Sequence, residues 1–387
     1  MRSPGSVRVM HVVDDLGVGG AQQLLVEFAE HAPARGIRMS LAVLAAEPSA
    51  GVHDALVARG CTVHLLEPRG GHVLLDRSLP RRLAGLLVAE SADVMHAHLE
   101  YATIIGVGSA RRADVPAVVT IHNAVLDFGR AGWLKQLTFD RALQRSSHVI
   151  ACGEQVAATH RSRYGATPVT VATNPVPTRS PAACDARLVV RAELGVDEDA
   201  IVVVSVGRIT AAKGALDLLE AFAAVPAGNC GAHLVYVGTG PDAAQVDQRA
   251  AALGIADRVQ LLGHRDDVTS VLAAADVFAS AARLEGLPLA MLEAMQAGVA
   301  IVATDVGDVG TILGAGRGVV VQPRRTGDLT AALGGIIDDA PRRAALAATA
   351  REYLAGAHDP GCWVDLHRTV YEQVLCNAHP VKDAPPA

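Results

Sequence analysis

Two consecutive α/β domains, each built on a parallel sheet, are what the sequence predicts, and three observations carry the prediction. The 387 residues exceed the roughly 100 to 200 of an ordinary domain, which suggests two separate cores. Half of them are apolar and only 19% are charged, a composition that excludes a disordered chain and suits packed α/β layers. Short β-branched runs alternate with Ala- and Leu-rich stretches at helical spacing from end to end, the pattern of parallel strands joined by crossover helices.

In the first half the strands are expected at Val7–Val13, Arg38–Leu44, Thr62–Leu66, Asp93–His96, Ala117–Ile121, His148–Ala151 and Val169–Val171, with helices between them. The pattern restarts at Ile201–Val206 and repeats at His233–Val237, Arg258–Leu261, Val277–Ala279, Ala300–Ala303 and Gly318–Val321. That makes two Rossmann-like halves. Between them, Asn174-Pro-Val-Pro-Thr-Arg-Ser-Pro181 holds three prolines, which disfavour continued helix and mark a hinge, with the boundary near residue 175. After about residue 340 the chain turns helical, with Pro341–Ala355 and Trp363–Cys376, before a polar tail.

Aromatic residues make up just 3%, leaving little surface on which nucleobases could stack, so nucleic acid is not an expected partner. The net charge of −6 is uneven: residues 1–180 carry 18 Lys+Arg against 15 Asp+Glu, and the remainder 16 against 25. The small excess in the first half would tolerate an anionic partner. Cys61, Cys152, Cys184, Cys230, Cys362 and Cys376 form no CxxC pair and have no zinc-ligand spacing, so they read as reduced. The apolar run Val9–Val13 is closed at once by Asp14 and Asp15, and nowhere do eighteen apolar residues run without a charge. A cytoplasmic protein is expected, with the inner membrane face as the surface it would touch. Leu79–Leu87 and Arg130–Arg145 mix basic and apolar residues and read first as solvated helix faces, with membrane contact as the alternative reading.

Open parallel sheets bind ligands beyond the carboxyl ends of their strands, so the turns there carry the chemistry. The first strand runs into Asp14-Asp-Leu-Gly-Val-Gly-Gly-Ala-Gln22, where a helix starts near Gly20. Glycines such as Gly19 and Gly20 let backbone approach a ligand, and the helix start favours an anion. A dinucleotide fingerprint fails there, because Gln22 stands where the final glycine belongs. Gly238-Thr-Gly-Pro-Asp-Ala243 matches only the looser GxGxxA form, and a Pro opening a helix after a glycine turn is ordinary punctuation.

Ile201–Val206 ends in Gly207-Arg-Ile-Thr-Ala-Ala-Lys-Gly214, with a helix expected from Gly214. Arg208 offers a planar fork and Lys213 a mobile point charge, a pair suited to a diphosphate. The absence of GxxxxGK[ST] argues against P-loop NTP hydrolysis. After Val277–Ala279 comes a segment with Glu285 and Glu293 separated by seven residues. Pro288 suits the first helical position, which leaves Glu285 in the approach loop and Glu293 more than a turn into the helix. Amides at that helix start could hold phosphate while the carboxylates accept from sugar and ribose hydroxyls. An isolated pair of glutamates would otherwise read as solvent-facing.

Taken together, Glu285-x7-Glu293 within EGLPLAMLEAMQAG, the VGRITAAKG segment and VGTGPD resemble the retaining GT-B glycosyltransferases of family 4. The resemblance covers essentially the whole chain and is strongest over residues 200–310. It implies two Rossmann-like domains whose parallel sheets face a central cleft. Residues 1–175 would bind the acceptor, with a C-terminal helix at about 360–378 packing back on them, and 176–359 would bind the nucleotide sugar. It also implies that Gly207, Arg208 and Lys213 meet the donor diphosphate and Glu293 the ribose. Glu285, with the amides of Gly286 and Leu287, would meet the sugar, and the helix start near Leu289 the phosphates. His122, in Thr120-Ile-His-Asn123, looks like the family's active-site histidine, which contacts the donor sugar, with Asn123 beside it on the acceptor or diphosphate side.

The Gly17–Gln22 turn is similar to the family's first-domain glycine loop, although Gln22 replaces its usual acidic residue. Gly263-His-Arg-Asp-Asp267 resembles the loop that nears the nucleobase, with Asp267 carried over. Asn174-Pro175 departs from the family's Asn-Gly, and Val299-Ala300 from its proline. His96 and His98 would share a face of a strand, but no third metal ligand is evident near them. His98 then reads as an acceptor-side residue. Asp197-Glu-Asp199 precedes its strand and reads as loop charge.

The expected reaction is transfer of a sugar from a nucleotide diphosphate sugar, UDP-linked or GDP-linked, to a hydroxyl of a lipid carrier, glycan or small molecule. The resemblance implies retention by front-face attack, with no metal and no cofactor beyond the co-substrate. Two competing readings are a non-hydrolysing UDP-sugar 2-epimerase and a sugar-nucleotide-binding protein without turnover.

Overall fold

The computed structural model describes residues 6–17, 19–45, 50–69, 72–123, 132–165, 167–179, 182–226 and 231–378. Val18 of the first glycine turn, Arg130, Ser180, Pro181, Cys230 and the tail beyond 378 lie outside them. The chain divides into one compact unit of Met1–Pro175 with Asp359–Ala387 and a second of Val176–His358.

The first unit is a seven-stranded, wholly parallel sheet. Its strands are β1 (Val7–Val13), β2 (Ile37–Val43), β3 (Thr62–Leu65), β4 (Val94–His98), β5 (Ala117–Ile121), β6 (His148–Ala151) and β7 (Val169–Val171). They lie in the order β3-β2-β1-β4-β5-β6-β7. Between them run α1 (Gly20–His31), α2 (Ala50–Ala58), α3 (Leu79–Ala89), α4 (Glu100–Ala113), α5 (Trp133–Arg145) and α6 (Glu154–Tyr164). Strands β4, β5 and β6 are buried along their whole length, which is why their sequences read as apolar runs instead of alternating.

The second unit holds a six-stranded parallel sheet in the order β10-β9-β8-β11-β12-β13. Its strands are β8 (Ile201–Val206), β9 (Ala232–Val237), β10 (Val259–Leu261), β11 (Val277–Ser280), β12 (Ala300–Thr304) and β13 (Val319–Val321). Its helices are α7 (Ala186–Leu194), α8 (Ala215–Ala223), α9 (Ala243–Ala252), α10 (Val268–Ala274), α11 (Leu289–Ala297), α12 (Val309–Leu313), α13 (Thr326–Ile337) and α14 (Ala340–Ala355). Both sheets change direction of strand order at a central pair, β1/β4 and β8/β11, the topological position where doubly wound sheets open a binding crevice.

The last helix, α15 (Pro360–Ala378), belongs to the first unit. Trp363 stands edge-on to Phe28 of α1 at 5.7 Å between ring centroids, and Tyr371 is fully buried. A buried phenol needs a partner for its hydroxyl, and it has one at 2.7 Å in His96 Nδ1.

None of the five described cysteines is in a disulfide. No helix among the described residues is long and apolar enough to cross a membrane. The mixed basic and apolar segment Leu79–Leu87 is the ordinary amphipathic α3, whose Leu79, Leu83 and Leu87 are in the core.

Candidate functional site

In the second unit the carboxyl end of β8 passes into Gly207, which has φ +146°, then Arg208 and a short 3-10 turn over Ala211–Lys213. The helix start expected at Gly214 is displaced by one residue. Gly214 is the left-handed flanking position before Ala215, and a Cβ there would lie 2.0 Å from the Ala281 carbonyl oxygen. Only glycine lets this loop rest on the end of β11. The VGTGPD turn has a packing role of the same kind. Gly238, at φ +138°, would bring a Cβ to 2.1 Å from the Gly207 carbonyl oxygen, so the turn after β9 presses directly on the Arg208 loop.

Arg208, Lys213 and Glu285 line one pocket with Gly207, Ser280 and Pro288. Arg208 is exposed and makes no ion pair among the described residues. Lys213 is half-buried and ion-paired to Glu285. Pro288 flanks α11 with extended backbone instead of opening it, so Leu289 is the first helical residue. Gly286 and Leu287 are buried just before it. Glu293 sits in the second turn of α11, is buried, and accepts from Arg179 Nε at 2.8 Å. Its carboxylate is therefore held inside the fold and does not face bulk water. Arg179, in the proline-rich stretch before α7, is a candidate that sequence reasoning missed. It lies 114 residues from its partner, and only the fold joins them.

Asp267 flanks α10 and is gripped by both Nε and Nη2 of Arg265, at 2.7 and 2.9 Å. That pairing holds its carboxyl below the usual range. Arg265 also pairs with Glu193, so this loop is a surface ion network. The Asp197–Asp199 segment turns its backbone inward, where the carbonyls of Asp197 and Glu198 accept from Arg191 Nη1.

In the first unit the glycine turn after β1 is internally braced. Gln22 is buried and donates to the Asp15 carbonyl at 3.3 Å and to its carboxylate at 3.1 Å. Gly19 makes room for this, since a Cβ there would stand 2.6 Å from Gln22 Oε1. Gly20, the first residue of α1, is exposed. Asp14 accepts from the Tyr101 and Ala102 amides at 3.1 and 2.6 Å, satisfying two of the orphan donors at the start of α4. Burial pushes its carboxyl up to about 6.

Histidines gather behind these turns in a way the sequence reading did not foresee. β4 runs two residues further than expected, placing His96 and His98 within the strand. The third imidazole missing from that pair is His11, which the parallel register of β1 and β4 sets beside His96. The ring nitrogens of His11, His96 and His98 lie within 4.8 Å of one another. His96 Nε2 bonds Thr120 Oγ1 at 2.7 Å. His98 bonds His11 Nδ1 through Nε2 at 2.9 Å, and His122 Nε2 through Nδ1 at 3.4 Å. His122 and Asn123, just past β5, are half-buried. His367 of α15 is buried against the same group, with Nδ1 donating to the Trp363 carbonyl at 2.8 Å. Burial drives these imidazoles toward the neutral form, to about 3 for His11 and about 4 for His122 and His367, with His96 and His98 also well below the usual value.

A family model described as Glycosyl transferases group 1 matches residues 187–353, and one described as Glycosyltransferase Family 4 matches residues 18–180. The D-inositol 3-phosphate glycosyltransferase of Geodermatophilus obscurus is 32% identical over 289 residues, 68% of this chain and 63% of that protein. This chain thus spans a little under two thirds of that relative. The enzyme of the same name from Stackebrandtia nassauensis is 30% identical over 331 residues, 77% of this chain and 74% of that protein. A GDP-mannose-dependent phosphatidylinositol monomannoside mannosyltransferase of Corynebacterium glutamicum is 30% identical over 184 residues, 45% of this chain and 48% of its own length.

Among solved structures, Anabaena HepE in complex with UDP superposes with a TM-score of 0.79 at 20% identity, covering 95% of this chain and all of that one. Sucrose-phosphate synthase from Thermosynechococcus elongatus gives 0.81 at 18%, covering 96% and 100%. At such identities the likeness speaks to the fold. With the two models covering the two halves in turn and relatives matching across both, the chain belongs to the group 1 glycosyl transferases and has the GT-B fold of two Rossmann-like domains.

Proposed function

We propose that the protein transfers a sugar from a nucleotide diphosphate sugar to a hydroxyl acceptor with retention at the anomeric carbon. The observation that carries this reading is the pocket at the end of β8, where Arg208, which has no ion-pair partner among the described residues, converges with the Lys213–Glu285 pair beside the start of α11. The bond from the anomeric carbon to the diphosphate oxygen breaks as the acceptor oxygen bonds that carbon on the same face, and the departing phosphate takes the hydroxyl proton. Negative charge grows on the diphosphate. Arg208, Lys213 and the amides at the start of α11 would stabilise it, and the proposed reaction uses no metal and no further cofactor. Lys213 must exchange Glu285 for phosphate, which frees that carboxylate for sugar hydroxyls. The second unit is the donor side, with Glu293 accepting from ribose and Asp267 nearest the base. The first unit is the acceptor side, with Gly19, Gly20, Gln22 and Asn123 as binding residues and His122 as the catalytic histidine; His98, whose two ring nitrogens both bond other histidines, stands behind it.

A UDP-sugar is the favoured donor. A thermal-shift panel of UDP, GDP, ADP, UDP-glucose, UDP-N-acetylglucosamine and GDP-mannose tests the base. Turnover of the stabilising sugar nucleotide, followed by proton NMR, then separates transfer or hydrolysis from epimerisation. Lys213→Ala should cut the turnover rate by about a hundredfold or more. An unchanged rate in the folded variant would remove the diphosphate role.

Contact with an anionic membrane surface, from the cytoplasmic side, fits α5 better than α3. Trp133, Leu134 and Leu137 are exposed on α5, and Arg141 and Arg145 follow them. Vesicles containing phosphatidylglycerol should co-sediment the protein, and the Trp133→Ala, Leu134→Ser double variant should stay in the supernatant. Equal sedimentation of both would discard this surface.

A further inference from the structure

His11, His98 and His122 form an unbroken line of imidazoles, with ring nitrogens 2.9 and 3.4 Å apart. A neutral imidazole carries one N–H and one bare nitrogen, so the two bonds must run in the same direction. Either every ring donates toward His122, or every ring donates toward His11. The closed end of the line decides which. His11 Nε2 is buried and has no hydrogen-bond partner among the described residues. Buried N–H groups without an acceptor are rarer than acceptors left unused, so His11 Nε2 is the bare nitrogen and its proton is on Nδ1. His98 then accepts at Nε2 and donates from Nδ1, and His122 accepts at Nε2 and keeps its own proton on Nδ1.

We propose that His98, backed by His11, is a positioning residue that locks His122 in the Nδ1–H tautomer, so that His122 offers reactants a hydrogen-bond donor. The surroundings suit that task. The electrostatic influences on His11, His98 and His122 come from other histidines, with no carboxylate among them, and each imidazole is held neutral by burial. His122 therefore serves as a fixed dipole and does not carry a charge through the reaction.

A divalent metal is the competing use of this cluster, and the geometry is against it. Both nitrogens of His96 are already engaged by hydroxyls at 2.7 Å, Thr120 on one side and Tyr371 on the other. The 2.9 Å between His11 Nδ1 and His98 Nε2 is a hydrogen-bond separation. Two ligands at about 2.0 to 2.1 Å from a tetrahedral zinc would stand further apart.

The inference deepens the proposed role of His122 and rests on it, so the test begins with a measurement that needs no activity. Ring-nitrogen NMR of the protein labelled with 15N-histidine distinguishes bare from protonated nitrogens. The wild type should show His122 wholly as Nδ1–H at neutral pH, and His98→Phe should release it into a mixture of tautomers. His98→Asn, whose amide can donate from near the Nδ1 position, should restore the single form. A mixture or the Nε2–H form in the wild type, no response to His98→Phe, or stoichiometric zinc in the purified protein would each overturn the proposal.

With a sugar nucleotide that the wild type turns over, His98→Phe should lower kcat about tenfold or more while the donor KM holds, and His98→Asn should recover most of the loss. A tautomer released with kcat unchanged would overturn the reading of His122 as a group that meets reactants, while leaving the diphosphate site of the second unit standing.

Discussion

Between pH 7.5 and pH 5.5 the first unit should lose a large part of its stability, because five imidazoles are folded into an environment that refuses their protons. In the unfolded chain each histidine takes up a proton below about pH 6.5. In the folded unit His122 and His367 stay neutral down to about 4 and His11 to about 3, with His96 and His98 displaced in the same direction. The unfolded state then binds more protons throughout this window, so stability rises with pH. The contribution is complete above 6.5 and drains away as the pH falls toward the folded values.

One unit below 6.5, each imidazole whose folded value is about 4 or lower has given up a little over 1 kcal/mol, so His11, His122 and His367 together give about 4 kcal/mol, and His96 and His98 act in the same direction. Asp14 acts in the opposite direction. Its carboxyl is raised to about 6, so acid relieves a buried charge and returns about 1 kcal/mol over the same interval. The histidines win, and a net loss of about 3 kcal/mol is a large fraction of the stability of an ordinary domain. Scanning calorimetry at pH 7.5, 6.5 and 5.5 should show the first unit's transition falling by roughly 6 to 12 °C. His367→Phe keeps an aromatic group against Phe28 and removes one titrating ring, so it should flatten that slope. A transition that stays put from pH 7.5 to 5.5 would mean the cluster accepts protons in the folded state.

That cluster also marks where local sequence pattern stops being informative. The strands were legible because parallel, doubly covered strands read as unbroken apolar runs, and β1, β5, β6, β7 and β8 coincide with the expected Val7–Val13, Ala117–Ile121, His148–Ala151, Val169–Val171 and Ile201–Val206. β4 reaches His98, two residues past the expected Asp93–His96. His98 is core, and both of its nitrogens are satisfied by other histidines. Pairing information is absent from any window: His11 meets His96 only because β1 and β4 are sheet neighbours, and Arg179 meets Glu293 only through the packing of the second unit. The Arg208, Lys213 and Glu285 pocket was readable as a set of charged residues at strand ends. Its internal pairing of Lys213 with Glu285 was not, since opposite charges 72 residues apart carry no local signal.

Arg191→Met should be the most damaging single substitution in the second unit. Arg191 sits on α7 with its side chain 3% exposed, and its guanidinium bonds two other segments. Nε donates to the Ala274 carbonyl at 3.2 Å, and Nη1 to the carbonyls of Asp197, Glu198 and Ala200 at 3.1, 2.9 and 2.8 Å. Nη2 donates to Asp276 Oδ2 at 2.6 Å. One side chain thus ties α7, the loop entering β8 and the turn from α10 into β11. Methionine fills the aliphatic volume but leaves those carbonyls without their donor, and a buried pair broken on one side costs about 3 to 5 kcal/mol. For a unit of this size that is a fall of roughly 6 to 20 °C in Tm. Arg187→Ala is the matched control. Arg187 reaches the same Asp276 at 2.9 Å, but its side chain is 43% exposed, so its loss should cost under about 1 kcal/mol. Equal shifts for the two variants would show that burial of the guanidinium does not set its worth. A large shift for Arg191→Met alone would locate the anchor of β8, and so of the Arg208 and Lys213 loop at its far end, in a residue that touches no ligand.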